Sequence, residues 1–250
     1  MKESSEIRIV YYSKKESGCD SMEHTLIPYT PIVMPRSKRY GNNYWGMMGP
    51  KVSYRDVILY SDLEYDHWVT VETDAKVKTY CEQPLEITYT LNGKRNRTIF
   101  DMCLYENGSE LFVEVKYEKE LHPSNRNYDR VMRQLEAQKE WCRLNGKLHE
   151  VRTEKSIRSG RYSIENRIKI LASVINHRHP MFIEEVSKSL DCTKRTMKEI
   201  CYELSDTCSS YEVFLSCHWL YYKGIITADI DSMIWNYEME VWKLEQMSII

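Results

Sequence analysis

The stretch Arg97–Lys116, RTIFDMCLYENGSELFVEVK, decides the fold, because it reads as two strands joined by a hairpin turn. Its first arm, Thr98 to Tyr105, is β-branched and apolar apart from Asp101. The turn Glu106-Asn107-Gly108-Ser109 carries an Asn-Gly pair, and both residues tolerate the positive φ that a tight hairpin demands. The second arm, Leu111 to Lys116, is a nearly continuous apolar run that ends Glu114-Val115-Lys116. Side chains at i and i+2 of a strand share a face, so Glu114 and Lys116 lie together, and pairing of the arms brings Asp101 to the same side.

Two carboxylates and an ammonium gathered on a sheet surface are unfavourable unless they hold something. A divalent cation between the acids removes their repulsion; a hard oxygen site of this kind binds Mg²⁺ or Mn²⁺ through one or two carboxylates and leaves positions for water and a phosphate oxygen. The lysine then orients or deprotonates the attacking water, or balances charge on phosphorus. Asp101 followed by Glu114-x-Lys116 is therefore a chemically complete site for cleaving phosphodiesters. The competing reading is an edge hairpin whose charges face solvent.

Working outward, Ser61 to about Glu72 reads as a helix with Ser61 as N-cap and Leu63, His67, Trp68 and Val71 as its packing face. Glu64 has two readings there: the far end of a Ser-x-x-Glu capping box, or an acid that joins the site. Lys76 to Tyr80 and Glu86 to Leu91 are strand-forming, with Pro84 setting a turn between them and Asn92-Gly93 a hairpin after them. Downstream, Tyr128 to Leu144 is helical: Val131, Leu135, Gln138 and Cys142 form one stripe, Arg126, Arg130 and Arg133 another, and Asn145-Gly146 ends it. His149 to Thr153 supplies a closing strand. The order is helix, three strands, helix, strand, a mixed sheet flanked by helices.

The first 60 residues are expected to be a partly extended arm, broken by Pro28, Pro31 and Pro35. Arg36, Lys38, Arg39 and Lys51, interleaved with Tyr40, Tyr44 and Trp45, suit contacts to a DNA backbone, or else form a surface loop docked by its aromatics. Beyond a basic connector at Ser156 to Ser163 the pattern turns helical, with Ile168, Leu171, Ala172 and Ile175 on one stripe. Phe182 to Leu190 and Lys194 to Leu204 read as a helix-turn-helix with Thr193 as cap and Lys194, Arg195 and Lys198 at the start of the second helix. A helix at Tyr211 to Tyr222, a strand at Gly224 to Ala228 and a turn at Asp229-Ile230-Asp231 complete a winged-helix pattern. His177 and His179 have no third ligand nearby in sequence and are not read as a metal site.

Composition sets the bounds. At 250 residues, 42% hydrophobic and 29% charged, the chain is ordinary globular material for one large domain or two modest ones. No apolar run approaches the ~20 residues needed to span a bilayer, and the first residues, MKESSEIRIV, lack a signal-peptide core. Eight cysteines show no zinc-site spacing and are expected to be buried thiols of a reducing cytoplasm. The net charge of −2 hides an asymmetry: residues 181–250 hold 12 acids against 6 Lys and Arg, leaving the positive excess with the candidate catalytic half.

From Val57 to Leu121 the chain resembles the nuclease domain of TnsA, the endonuclease subunit of heteromeric cut-and-paste transposases, in the PD-(D/E)xK restriction-endonuclease-like superfamily. The residues that carry the resemblance are Ser61-Asp62-Leu63-Glu64-Tyr65-Asp66, Glu82-Gln83-Pro84, Phe100-Asp101 and Glu114-Val115-Lys116, joined downstream by Arg133-Gln134-Leu135-Glu136-Ala137 and Val151-Arg152-Thr153-Glu154 with Ile157-Arg158. Phe100 departs from the pattern, standing where the superfamily usually has proline.

The resemblance implies an α/β restriction-endonuclease-like domain over residues 61–155 and a C-terminal winged-helix domain over 164–250. It implies Asp101, Glu114 and the Val115 carbonyl as ligands of Mg²⁺ or Mn²⁺, Glu64 either at a second of two ions or on metal-bound water, and Lys116 as the group that orients the nucleophilic water and stabilises developing negative charge. It further implies cleavage at the 5′ ends of a transposon in bacterial cytoplasm. The implied partners are double-stranded DNA, a DDE-type transposase (TnsB-like) and an AAA+ regulator (TnsC-like). A stand-alone restriction or repair nuclease of the same superfamily, and a catalytically silent DNA- or partner-binding adaptor, are the alternatives.

Overall fold

The computed structural model describes residues 8–9, 28–34, 43–91, 93–177 and 179–244. They divide into two compact units, one built on residues 51–65 and 77–156, the other on 66–76 and 157–250.

The first unit holds β1 (Arg8–Ile9) and β3 (Arg55–Leu59); β2 (Trp45–Gly49) and helix α1 (Asp62–Thr73) are each divided between the two units. Then come β4 (Val77–Glu82), β5 (Glu86–Leu91), β6 (Lys94–Ile99), β7 (Met102–Glu106), β8 (Ser109–Val115), helix α2 (Tyr128–Leu144), β9 (Leu148–Arg152) and the short α3 (Glu154–Ile157). Among the described residues, β4-β7-β8-β9 form the central sheet, β1-β5-β6 a second sheet, and β2-β3 a pair.

The hairpin at the heart of the sequence forms as expected: β7 and β8 are antiparallel, with Glu106 opposite Ser109. Asn107 and Gly108 have φ of 48° and 77°, the two positive values that let a two-residue loop follow the strand twist. The first arm departs from expectation. It is not one strand from Thr98 to Tyr105, because β6 ends at Ile99 in one sheet and β7 starts at Met102 in another. Five strands, β4 to β8, thus separate α1 from α2, because the expected first arm is divided between β6, which pairs with β5, and β7.

β9 runs parallel to β8, with Glu114 opposite Val151, and a parallel neighbour needs a long crossover. α2 supplies it. The apolar stripe of α2 buries Val131, Leu135, Trp141 and Cys142 as its spacing requires. Trp141 and Cys142 join Cys81, Ile87, Phe100, Cys103 and Phe112 in one core. Phe100, the residue in place of proline, is fully buried, with ring centroids 4.7 Å from Phe112 and 5.6 Å from Trp141.

The second unit holds α4 (Ser163–Asn176), α5 (Ile183–Ser189), β10 (Arg195–Thr196), α6 (Met197–Glu203), α7 (Ser210–Tyr222), β11 (Ile226–Ala228) and β12 (Glu240–Lys243). The strands make a sheet in the order β10-β12-β11. Two details differ from the sequence reading. Lys194 and Arg195 precede the helix, and α6 is capped by Thr196, whose hydroxyl accepts from the Glu199 amide, while Thr193 closes a turn on Asp191. Strand β12 is the second difference: its four residues carry too little alternation to stand out in sequence.

α7 buries His218 (8% exposed), with Nδ1 2.8 Å from Ser173 Oγ and its ring 4.7 Å from that of Trp235. Burial disfavours the imidazolium and pulls His218 down to about 4. Between that value and the ordinary ~6.5 the unfolded chain binds the proton and the folded chain does not, so stability falls as pH drops through this window. Urea unfolding is expected to show a loss of about 3 kcal/mol between pH 7 and pH 4 that is absent in His218→Gln. Equal pH slopes in the two proteins would show that His218 does not titrate this way.

Candidate active site

Asp101 stands at the break between β6 and β7, where the chain leaves one sheet for the other. Its backbone is pinned on the inner side, since the Gln83 amide donates to the Asp101 carbonyl at 2.9 Å and the Phe100 amide donates to Leu85 at 3.2 Å. The side chain meets the end of β8, with Oδ2 accepting from the Val115 amide at 2.7 Å. Oδ1 accepts no hydrogen bond among the described residues.

Glu114 and Lys116 lie on the same face at that end of β8, as period-two geometry requires. Lys116 Nζ donates to Glu114 Oε1 at 2.6 Å and to the Val115 carbonyl at 3.3 Å, while the Lys116 amide continues the ladder to Arg152 at 3.0 Å. Glu114 is 1% exposed and is held from a second direction by α2: Gln134 Nε2 donates to Oε1 at 2.5 Å and Gln138 Nε2 to Oε2 at 2.7 Å. Gln138 also reaches Thr98 Oγ1 on β6 at 3.2 Å. Three donors satisfy the hydrogen-bonding capacity of this buried carboxylate.

Glu64 enters from the first turn of α1. It does cap that helix: its amide donates to Ser61 Oγ at 3.2 Å, and its carboxylate accepts from Ser61 Oγ at 3.0 Å and from the Tyr60 amide at 3.1 Å. The reach-back goes to Tyr60 rather than to the Ser61 amide expected of a capping box. Glu64 also faces the site, for Gln83 Nε2 lies 3.4 Å from its Oε2 and its charge is felt by Asp101. The two readings of this residue are therefore compatible.

Three acids share one ammonium here. Burial, then the Glu114 charge, lifts Asp101 well above the usual carboxylate range, and burial raises Glu64 as well. Burial works against the charged form of Lys116, but Glu114 and Asp101 outweigh it and raise the ammonium above its ordinary value. Among the described residues no group of three or more His, Cys, Asp and Glu side chains is placed as it stands to hold a metal ion. The donors that do converge are all oxygens, which is the chemistry of a hard cation that keeps several waters, not of zinc.

This arrangement falls inside a stretch with known relatives: residues 74–154 match the family model described as TnsA-like endonuclease N terminal. Over that segment the chain is similar to TnsA-like endonuclease domains. No curated protein matches the chain. Asp101, Glu114, Lys116, Gln134 and Gln138 all lie within the TnsA-like segment, and Glu64 lies upstream of it.

Within the TnsA-like segment, sequence reasoning had Gln138 only as part of the packing stripe of α2. The usable signal was its polarity, because a fully buried amide on an apolar face must find a partner. Arg55 and Glu82 were also missed: both guanidinium nitrogens of Arg55 reach both oxygens of the buried Glu82 at 2.6 Å, joining β3 to the end of β4.

The basic residues read as DNA contacts scatter. Arg126 and Arg130 are exposed near the start of α2, and Lys51 is half-buried in the short helical turn Pro50–Val52. Arg36, Lys38 and Arg39 lie outside the described residues. In the second unit, Lys194 sits 3.6 Å from Glu240 and 4.7 Å from the Trp242 ring, and Arg195 pairs with Glu203 at 2.6 Å and donates to the Ser189 carbonyl. Both of these cations already have partners in their own unit.

Proposed function

We propose that this chain is the metal-dependent DNA endonuclease subunit of a cut-and-paste transposase, hydrolysing phosphodiesters at the 5′ ends of the transposon. The observation that carries the reading is the gathering of Asp101, Glu114 and Lys116 at the end of β8, inside the TnsA-like segment. Asp101, through its unused Oδ1, Glu114 and the Val115 carbonyl would hold Mg²⁺ or Mn²⁺, with Glu64 at a second ion. When bound, such an ion supplies Lewis-acid polarisation of the phosphate and a more acidic attacking water.

The side chains do the rest. Lys116 remains an ammonium because two acids raise it, so it orients the water and stabilises negative charge on the phosphate rather than taking the proton. Gln134 and Gln138 keep the Glu114 carboxylate aimed. No covalent enzyme intermediate is needed.

Double-stranded transposon ends are the substrate in this reading, a DDE-type transposase is the partner that cuts and joins the other strand, and an AAA+ regulator is the second partner. The second unit, with helices α5 and α6 and the sheet β10-β12-β11, is a winged helix in the same reading. Its acidic balance and its internally paired Lys194 and Arg195 favour a protein contact over DNA.

The test is strand cleavage of a donor plasmid carrying matched transposon ends, with Mg²⁺ and the co-encoded transposase. Nicks confined to the 5′ strands and dependent on the partner are the expected result. Cutting of plain DNA by the chain alone would point to a stand-alone nuclease, and absence of cutting to an adaptor.

A further inference from the structure

Gln83 follows β4 in the turn that leads to Pro84, is 3% exposed, and has a φ of +38°, in the left-handed region that residues with side chains seldom adopt. A backbone held there by its surroundings is a common mark of a functional site. Three polar groups of Gln83 are engaged on three different segments. Its amide donates to the Asp101 carbonyl at 2.9 Å, its carbonyl accepts from the Ile32 amide at 3.0 Å, and its side-chain Nε2 lies 3.4 Å from Glu64 Oε2. The other bonds of the Glu64 carboxylate, from Tyr60 and Ser61, stay within its own helix start.

We infer that Gln83 is a positioning residue that sets the place of Glu64 relative to Asp101, by bridging the backbone of one acid and the carboxylate of the other. This role rests on the proposed function, since it concerns the acids of the cleavage site.

The strap of residues 28–34 braces the bridge. Tyr29 donates to Glu110 at 2.9 Å and meets the Phe112 ring edge-on at 5.5 Å, Ile32 holds the Gln83 carbonyl, and the Met34 amide donates to the Tyr60 hydroxyl at 2.8 Å. The strap thus grips Gln83 and Tyr60, the two residues that bring Glu64 a donor from outside its own capping serine. The chemistry of the side chain matters as well. Glutamate at 83 would set a further negative charge against Glu64, and leucine would remove the donor.

The test uses Gln83→Asn in the full chain. Asparagine tolerates the left-handed backbone, but its amide is one methylene shorter and no longer reaches Glu64. The expected result in the donor-plasmid assay is a fall in kcat on the order of ten- to a hundredfold with KM for DNA unchanged. Glu64→Ala combined with Gln83→Asn should be no slower than Glu64→Ala alone, because the second change then has nothing left to position. Gln83→Gly, which removes the amide while relieving the backbone, should lose rate to the same extent, separating the role from any folding defect of the asparagine variant.

Gln83→Asn cutting at the wild-type rate, or losses that multiply in the double variant, would overturn the inference while the nuclease reading stands. Failure of the wild-type chain to cut at all is the distinct outcome that removes both.

Discussion

Lys116→Ala and Asp101→Asn are each expected to lower cleavage by about three orders of magnitude while leaving the protein folded. The argument for rate is that Lys116 supplies the site's ammonium and that, of the oxygens of Glu64, Asp101 and Glu114, Asp101 Oδ1 is the one that accepts no hydrogen bond among the described residues. The argument for the fold is separate. Asp101 is disfavoured as a carboxylate by burial and by Glu114, so an uncharged amide of the same shape relieves repulsion. Asp101→Asn should therefore melt no lower than wild type. Lys116→Ala removes the ammonium that the acids share and should lower the melting temperature, but Glu114 keeps its two glutamine donors and the chain stays folded at assay temperature. Plasmid nicking and thermal melting, measured on the same preparations, check both halves. If either variant unfolds, the residue holds the structure and the catalytic assignment fails.

The second large effect is expected at a residue that touches none of these acids. Arg55→Ala should destabilise the first unit by about 3–5 kcal/mol, because it strips a buried carboxylate of its bidentate partner. Glu82 has a side chain only 2% exposed, and its neighbour in sequence is Gln83, which binds Asp101. Replacing both members, Arg55→Met with Glu82→Leu, should recover much of the loss, since a buried pair exchanged for apolar side chains is often neutral. Urea midpoints of the single and double variants decide the matter. A single variant as stable as wild type would mean that water reaches Glu82.

The parts of this structure legible in sequence are those set by local periodicity. Helix α2 spans the residues its stripe and its Asn145-Gly146 stop implied, and the β7-β8 turn follows from Asn107-Gly108. Glu114 and Lys116 meet because a strand alternates its faces. The break at Phe100-Asp101 was not read, because Thr98 to Tyr105 is strand-forming on both sides of Asp101 and that one acid was read as a site residue, not as the point where the chain changes sheets. Trp45–Gly49 likewise read as part of an extended arm, although it pairs with β3. Gln134 and Gln138 became meaningful only when α2 was laid across Glu114, which is a tertiary fact. The cap expected at Thr193 is at Thr196 instead, where Glu199 three residues on completes a capping box.

The aromatic at position 100 has a consequence for how the protein ages in use. Because Phe100 is locked between Phe112 and Trp141, the peptide that carries Asp101 is continuous with the core and has no slack of its own. A loop-borne aspartate can wander while the rest of a protein stays folded, giving an intact but idle enzyme. Here the acid leaves its place only when that core opens, so thermal inactivation and melting of the first unit become one event.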